Sequence, residues 1–106
     1  MKAHDYIEWL ALFQKDENLT VWHLSLLTAI LMLGYRQGEN GMIRVSRSKI
    51  MALSHIHTLP TYHKYLKELQ LLGYIKYTPS YHPGYRSRIE LLFRVPMFQT
   101  DGGESL

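Results

Sequence analysis

Histidine is the residue type in this sequence that most suggests site chemistry, with six in 106 residues. His55 and His57 stand two apart, and His63 follows shortly after them. Imidazoles at such spacing can bind a metal ion or transfer protons. However, the chain has no cysteine, and few carboxylates lie near these histidines, so the usual metal-ligand sets are incomplete. We therefore expect neither a metal nor another cofactor.

Catalysis is also disfavoured by the supply of acids and nucleophiles. Acid–base chemistry needs paired titratable groups in one pocket, yet the segment between Arg44 and Arg94 offers only Glu68 and Glu90. Without cysteine there is no thiol nucleophile and no disulfide, which fits a reducing cytoplasm. The sequence thus favours a cytoplasmic binding protein over an enzyme.

The distribution of charge points to a polyanionic partner. The whole chain carries +3, but the segment between Arg44 and Arg94 holds nine basic and two acidic residues, a net of +7. The remaining residues sum to −4. Such asymmetry predicts one basic face and an acidic remainder turned away from the partner.

The stretch of residues 46–75 is expected to present much of this charge. Ser46 is a suitable N-cap for a first short helix, and Thr58 for a second that Gly73 would end. Helical spacing predicts a buried stripe of Leu59, Tyr62, Leu66 and Leu69 on the second helix. Two helices joined by so few residues cross at a steep angle, so the second one is expected to project from the surface of the domain.

The other elements are predicted from periodicity and turn chemistry. Thr20 should cap a core helix over residues 21–36, with a stripe of Trp22, Leu24, Leu27, Leu31 and Tyr35 widened by Ile30 and Met32. Strands are expected at 42–45, 74–78 and 86–95, the last two joined as an antiparallel hairpin by the turn-rich residues 79–84. No secretory signal is visible, and the most apolar run, 24–33, is about half the ~20 residues a membrane span needs.

An apolar helix is predicted between Asp5 and Lys15, with Tyr6, Trp9, Leu10 and Phe13 at helical spacing and Ile7 and Leu12 widening the face. It is expected either to pack on its own domain or to pair with the same helix of a second subunit. We prefer the homodimer, because the elements that follow form a complete domain without this helix.

The order of these elements resembles a winged helix-turn-helix domain. The resemblance rests on Ser46, Ile50, Leu53, Ile56, Thr58, Thr61, Leu66 and Leu69, followed by Gly73, Tyr74 and Ile75. Their spacing is similar to that of bacterial regulators of the MarR and GntR kind, and the hairpin resembles small winged-helix proteins of bacterial mobile elements. One departure is Ser54-His55 in the turn, where many relatives carry glycine.

The resemblance implies a mainly α fold with a small antiparallel β-hairpin (α+β) and an extra N-terminal helix. It implies three parts: an N-terminal helix in 1–19, the winged domain in 20–96 and a flexible tail in 97–106. The recognition helix would lie at about 58–72 and the wing at 79–88.

These elements suggest separate roles on double-stranded DNA. Base edges in the major groove would be read by Thr61, His63 and Lys64. Phosphates would be bound by Ser46, Arg47, Lys49, Thr58 and Lys67. The wing would place Tyr81, His82, Tyr85, Arg86 and Arg88 on the backbone or in the minor groove, with the tyrosines packing at the hairpin rather than stacking on bases.

We therefore expect a sequence-specific DNA-binding protein, a nucleoid-associated transcriptional regulator, with no membrane association. The alternative is a winged-helix module for protein–protein contact in a replication, excision or conjugation assembly. That reading draws on the apolar N-terminal helix and on Leu71 and Leu92, which fall on faces expected to be exposed. An RNA-binding module ranks last, because the aromatic sheet pattern of common RNA-binding folds is missing.

Overall fold

Four helices and a three-stranded antiparallel sheet make up the part of the chain that the computed structural model describes, residues 3–38, 42–82 and 86–92. The helices are α1 (Ala3–Lys15), α2 (Val21–Gln37), α3 (Arg47–Ser54) and α4 (Leu59–Leu71). The strands are β1 (Met42–Val45), β2 (Ile75–Thr78) and β3 (Ser87–Leu91). None of these helices combines the length and apolar character needed to cross a membrane. The fold is thus mixed α/β, and its two layers share one core.

The sheet extends the predicted hairpin by one strand. Its order is β1-β3-β2, so β3 is central and pairs antiparallel with both neighbours. Alternation turns one face inward, where Ile43, Ile75 and Ile89 are fully buried. The predicted last strand, 86–95, is observed as Ser87–Leu91, while residues 93–95 and the expected tail at 97–106 lie outside the described residues.

Helix α2 lies at the centre of the core, and it buries only part of the predicted stripe. Leu27, Ile30 and Leu31 are buried as predicted. Leu26, Ala29 and Leu33 are buried, whereas Trp22, Met32 and Tyr35 are substantially exposed. The buried face is selected by small residues as well as large ones. A Cβ on Gly34 would lie 2.9 Å from Ile43 Cδ1, so glycine lets β1 approach the helix closely. The hydropathy of the α2 residues alone does not predict which face of the helix is buried.

Helix α1 packs on α2 within the same chain. Tyr6, Trp9 and Phe13 are buried in the common core, and the Tyr6 ring meets Tyr35 edge-on at 5.4 Å. This is the intramolecular one of the two predicted arrangements. Ile7 remains 66% exposed on the other side of the helix, and pairing with a second subunit stays a prediction.

Local chemistry determines where α2 and α3 begin. Thr20 accepts a hydrogen bond from the His23 backbone N–H at 3.4 Å, and the His23 ring closes a capping box on the Thr20 N–H. Ser46 likewise accepts from the Lys49 N–H at 3.3 Å. The predicted N-caps at Thr20 and Ser46 are therefore confirmed.

The ends of α3 and α4 share one hydrogen-bond pattern but differ in the residue that makes it. At α4, Gly73 is left-handed (φ +85°), and the Tyr74 N–H bonds back to the Leu69 carbonyl. At α3, the same pattern places His55 at φ +61°, with the Ile56 N–H on the Met51 carbonyl. His55 thus occupies the left-handed position at the end of α3, in the turn where the sequence lacks a glycine. A residue with a side chain is disfavoured in this conformation.

Candidate nucleic-acid interface

Helix α4 buries a narrower stripe than its sequence predicts. Tyr62, Leu66 and Leu69 are buried, but Leu59 is 44% exposed, so its assignment to the stripe was wrong. Its neighbours Thr58 and Pro60 are exposed as well. The first turn of the helix therefore projects beyond the core, where no partner covers Leu59 among the described residues.

The opposite side of α4 is exposed and cationic. His63, Lys64 and Lys67 are all exposed, as predicted, and Lys64 and Lys67 lie one turn apart on the same side. Leu71 continues this side at the C-terminal end and is 75% exposed. The exposed side of α4 is therefore basic in its middle and apolar at its C-terminal end.

Lys64 rests on an aromatic pair that sequence analysis missed. Its Nζ lies 5.0 Å from the centre of the Tyr65 ring, and Tyr65 stacks on Trp22 of α2 at 5.8 Å. A cation over an aromatic face is held electrostatically, which restricts where the ammonium group can go. The partly exposed Trp22 ring thus has a structural role. It stacks on the Tyr65 ring, over which the ammonium group of Lys64, a predicted base-reading residue, lies.

Thr61 is the least available of the three predicted base readers. It is half-buried, and its Oγ1 accepts a hydrogen bond from Thr58 Oγ1 at 2.9 Å. Thr58 is the N-cap by backbone conformation, but its side chain makes no bond to the helix N–H groups. The two hydroxyls therefore satisfy each other on the flank of α4 rather than on its outer side.

A buried histidine fixes α4 against α2. His23 is 3% exposed, and its Nε2 lies 2.7 Å from Glu68 Oε1. The ring also meets Tyr65 edge-on at 5.0 Å. Glu68 is thus engaged in holding α4 against α2.

The sheet adds a second basic surface through its register. Arg88 on β3 lies directly opposite Arg44 on β1 and Thr78 on β2. In the next aligned row, Glu90 stands between Met42 and Lys76. The row nearer the β2–β3 loop therefore carries only positive charges, whereas in the next row Glu90 offsets the charge of Lys76. Arg44 was absent from the predicted contact residues, although its outward position in an alternating strand would have indicated it.

Helix α3 supplies the remaining predicted phosphate contacts. Arg47 and Lys49 are exposed in its first turn, while the Ser46 hydroxyl is engaged as the cap. Arg47 lies close enough to Tyr62 to act on its ionisation. The pKa of Tyr62 is raised to about 12, mainly by burial and also by the neighbouring Tyr77, while the positive charge of Arg47 opposes the shift. Arg47 at the start of α3 therefore lies near the first turn of α4, where Tyr62 is located.

The predicted wing is described only in part. Ser87 Oγ accepts hydrogen bonds from the Ser80 N–H at 3.2 Å and from Tyr77 Oη at 3.3 Å, and so holds the base of the loop together. Tyr81 is 92% exposed, so its expected packing at the hairpin was wrong. His82, Arg86 and Arg88 are exposed, and Tyr85 lies outside the described residues.

The histidines that suggested a metal are not gathered. Within the described ranges, no group of three His, Asp or Glu side chains is close enough to hold an ion. His55, His57 and His63 therefore act separately in this geometry.

Comparisons with protein-family models, curated proteins and solved structures found no match for this chain.

Proposed function

We propose that this chain is a sequence-specific double-stranded DNA-binding protein that acts as a transcriptional regulator through a winged helix-turn-helix. In this proposal α3 and α4 form the helix-turn-helix and the β2–β3 hairpin forms the wing. The observation that carries it is the pairing of two basic surfaces: the outer side of α4 and the Arg44–Arg88 end of the sheet.

The dimensions of α4 support its role as the recognition helix. It is a 13-residue helix with one side buried and the other exposed, and the major groove accepts an α-helix. Lys64 and His63 lie in its N-terminal half, the part of a recognition helix that commonly reaches base edges. Lys67, one turn further, is better placed for a phosphate. Contacts to base edges would then provide sequence specificity, whereas contacts to phosphates would fix the register of the protein on the duplex.

The sheet supports a second contact on the same nucleic acid. Arg86 and Arg88 flank the start of β3, where the loop from β2 returns. Arginine side chains bind phosphates in a bidentate manner and also enter narrow minor grooves, where the potential is most negative. A hairpin carrying them beside a major-groove helix would extend the contact to the adjacent backbone.

A selection experiment tests this function. Fragments bound from a random DNA pool would be sequenced for the unmodified protein, for Lys64→Ala with Arg88→Ala, and for a charge-matched control, Lys15→Ala with Lys76→Ala. We expect an enriched motif for the unmodified and control proteins, and loss of the motif in the first pair. Equal binding and equal salt dependence in all three would falsify the proposal. Light scattering in parallel reports oligomeric state, and half-sites ~10 bp apart would indicate a dimer.

The alternative function is favoured by one observation, the exposed leucine pair at the end of α4. Leu71 is 75% and Leu72 is 43% exposed, and Leu71 lies on the cationic side of that helix. Contiguous exposed apolar residues are typical of protein contacts. No enriched motif together with only micromolar DNA affinity at physiological salt would favour a protein–protein module in a replication, excision or conjugation assembly.

A further inference from the structure

A shallow cleft opens on the β1 side of the sheet, away from the strand that packs on α4. Its volume is about 220 Å³, and its described lining consists of Leu33 and Gln37 from α2, Arg44 from β1, Lys49 from α3 and Arg86. Three of these five residues are cations and none is acidic. We propose that this cleft is a binding site for a phosphate group.

The convergence of three cations is the first support for this assignment. They come from three separate parts of the chain, so their proximity is produced by the fold and not by a run of basic sequence. The end of α2 lies at the cleft and contributes a partial charge of about −0.5, which one cation more than offsets. The described lining residues therefore sum to a net positive charge, and concave walls concentrate the field of such a charge on a bound anion.

The second support is that Arg44 and Lys49 lie on regular elements, strand β1 and the first turn of helix α3. Gln37 donates from Nε2 to the Arg44 carbonyl at 2.6 Å and accepts from the Arg44 N–H at 2.9 Å. Lys49 follows the Ser46 cap at the start of α3. Arg86 directly precedes β3. Binding then requires little ordering of the backbone, which lowers the entropic cost of capturing a small anion.

The residue types favour phosphate as the ligand class. Two guanidinium groups can each donate two parallel hydrogen bonds to anionic oxygens, and an ammonium group adds a third point charge. Such a set matches a tetrahedral dianion with several oxygens better than a single carboxylate. The phosphate can come from a DNA backbone or from a free phosphate-bearing molecule. The assignment does not depend on α4 reading DNA.

Nuclear magnetic resonance on the full chain tests the site. Inorganic pyrophosphate would be titrated at constant ionic strength, and the resonances of the Gln37 side-chain amide and the Arg44 backbone amide would be followed. We expect saturable shifts at both, and affinity about tenfold weaker or worse in Arg44→Gln with Lys49→Gln. A control pair, Lys15→Gln with Lys76→Gln, removes the same net charge outside the cleft and should change the affinity by less than about twofold. Thermal unfolding of each variant verifies its fold.

Two results would overturn the assignment: no saturable shift at these amides, or equal weakening in the two charge-matched pairs. A second arm adds a short DNA duplex. If the duplex moves the same resonances and competes with pyrophosphate, the phosphate comes from the DNA backbone. If both bind without competition, the cleft takes a free anion. DNA binding without any pyrophosphate response rejects the cleft alone, whereas pyrophosphate binding without DNA binding rejects the proposed function alone.

Discussion

His23 Nε2 lies 2.7 Å from Glu68 Oε1, which joins the start of α2 to the C-terminal part of α4 across 45 residues of sequence. The other ring nitrogen, Nδ1, lies 2.8 Å from the backbone nitrogen of Thr20 and accepts its N–H. The ring is therefore assigned as neutral with its proton on Nε2, which donates to the carboxylate. One imidazole thus completes a helix cap and positions the proposed recognition helix.

Substitution of His23 should separate these two contributions. His23→Ala removes both hydrogen bonds and leaves a cavity, so we expect a loss of about 2–4 kcal/mol in the free energy of unfolding. His23→Gln retains a capping-box side chain and should cost roughly half as much. Glu68→Gln keeps an acceptor oxygen and serves as the mild control. Urea unfolding measures all three, and equal losses for His23→Ala and His23→Gln would show that the cap contributes nothing.

Helix ends and strand positions follow from the sequence because they are locally determined. Thr20, Ser46 and Gly73 have side chains or conformational freedom that satisfy the backbone groups at helix ends, whatever surrounds them. The alternation in β1 and β3 likewise reports which residues face the core. These features need no knowledge of distant contacts.

The arrangement of the candidate site does not follow from the sequence, because it depends on non-local packing and register. The buried face of α2 is chosen by what α1, β1 and α4 present to it, so Trp22, which was predicted in the buried stripe, is 42% exposed. Arg44 comes to lie opposite Arg88 only through the pairing of β1 with β3. A one-residue change in that register would move either arginine to the other face.

The turn between α3 and α4 offers a stabilising substitution. His55 has φ +61°, a region that costs an L-residue about 1 kcal/mol or more relative to glycine. We expect His55→Gly to raise the free energy of unfolding by about 0.5–1 kcal/mol. His57→Gly is the matched control, because His57 has no left-handed backbone and should only gain unfolded-state entropy. Calorimetry measures both, and a lower melting temperature for His55→Gly would contradict the strain argument.

Lys67 should behave as a phosphate contact if α4 binds DNA. Removal of one such contact reduces the magnitude of the slope of log K against log salt by about 1 and weakens all sequences equally. We therefore expect Lys67→Ala to leave any selected motif unchanged while lowering the salt dependence. Lys64→Ala should instead relax the motif. Fluorescence anisotropy across a salt series provides the slopes, with Lys15→Ala as control, and a changed motif in Lys67→Ala would assign it to base reading.

The buried Tyr62 side chain should make the folded protein less stable in alkaline solution. Its pKa in the folded protein is about 12, above the ordinary value of 10.0, mainly because burial disfavours the phenolate. A raised folded pKa means that its contribution is complete below pH 10 and declines as pH rises towards 12. At about pH 11 the unmodified protein should have lost about 1 kcal/mol that Tyr62→Phe does not lose. Urea unfolding across this range measures the difference, and parallel pH profiles would refute the assignment.

Gln37 should protect the free edge of the sheet. Its side-chain amide forms two hydrogen bonds with the Arg44 backbone, at 2.6 and 2.9 Å, on the side of β1 that no strand pairs in the described sheet. An uncovered edge exposes backbone donors and acceptors that another chain can pair with. We expect Gln37→Ala to lower the free energy of unfolding by about 1–2 kcal/mol and to promote self-association.

Gln14→Ala is the control for this edge, because Gln14 is exposed on α1 and away from the sheet. Sedimentation velocity over a concentration series would detect the self-association, and hydrogen exchange at the Arg44 amide would report the lost bond directly. Faster exchange at Arg44 in Gln37→Ala but not in Gln14→Ala is the expected result. Unchanged exchange would contradict the assignment, because removal of the acceptor of a protecting hydrogen bond should speed the exchange of the Arg44 amide.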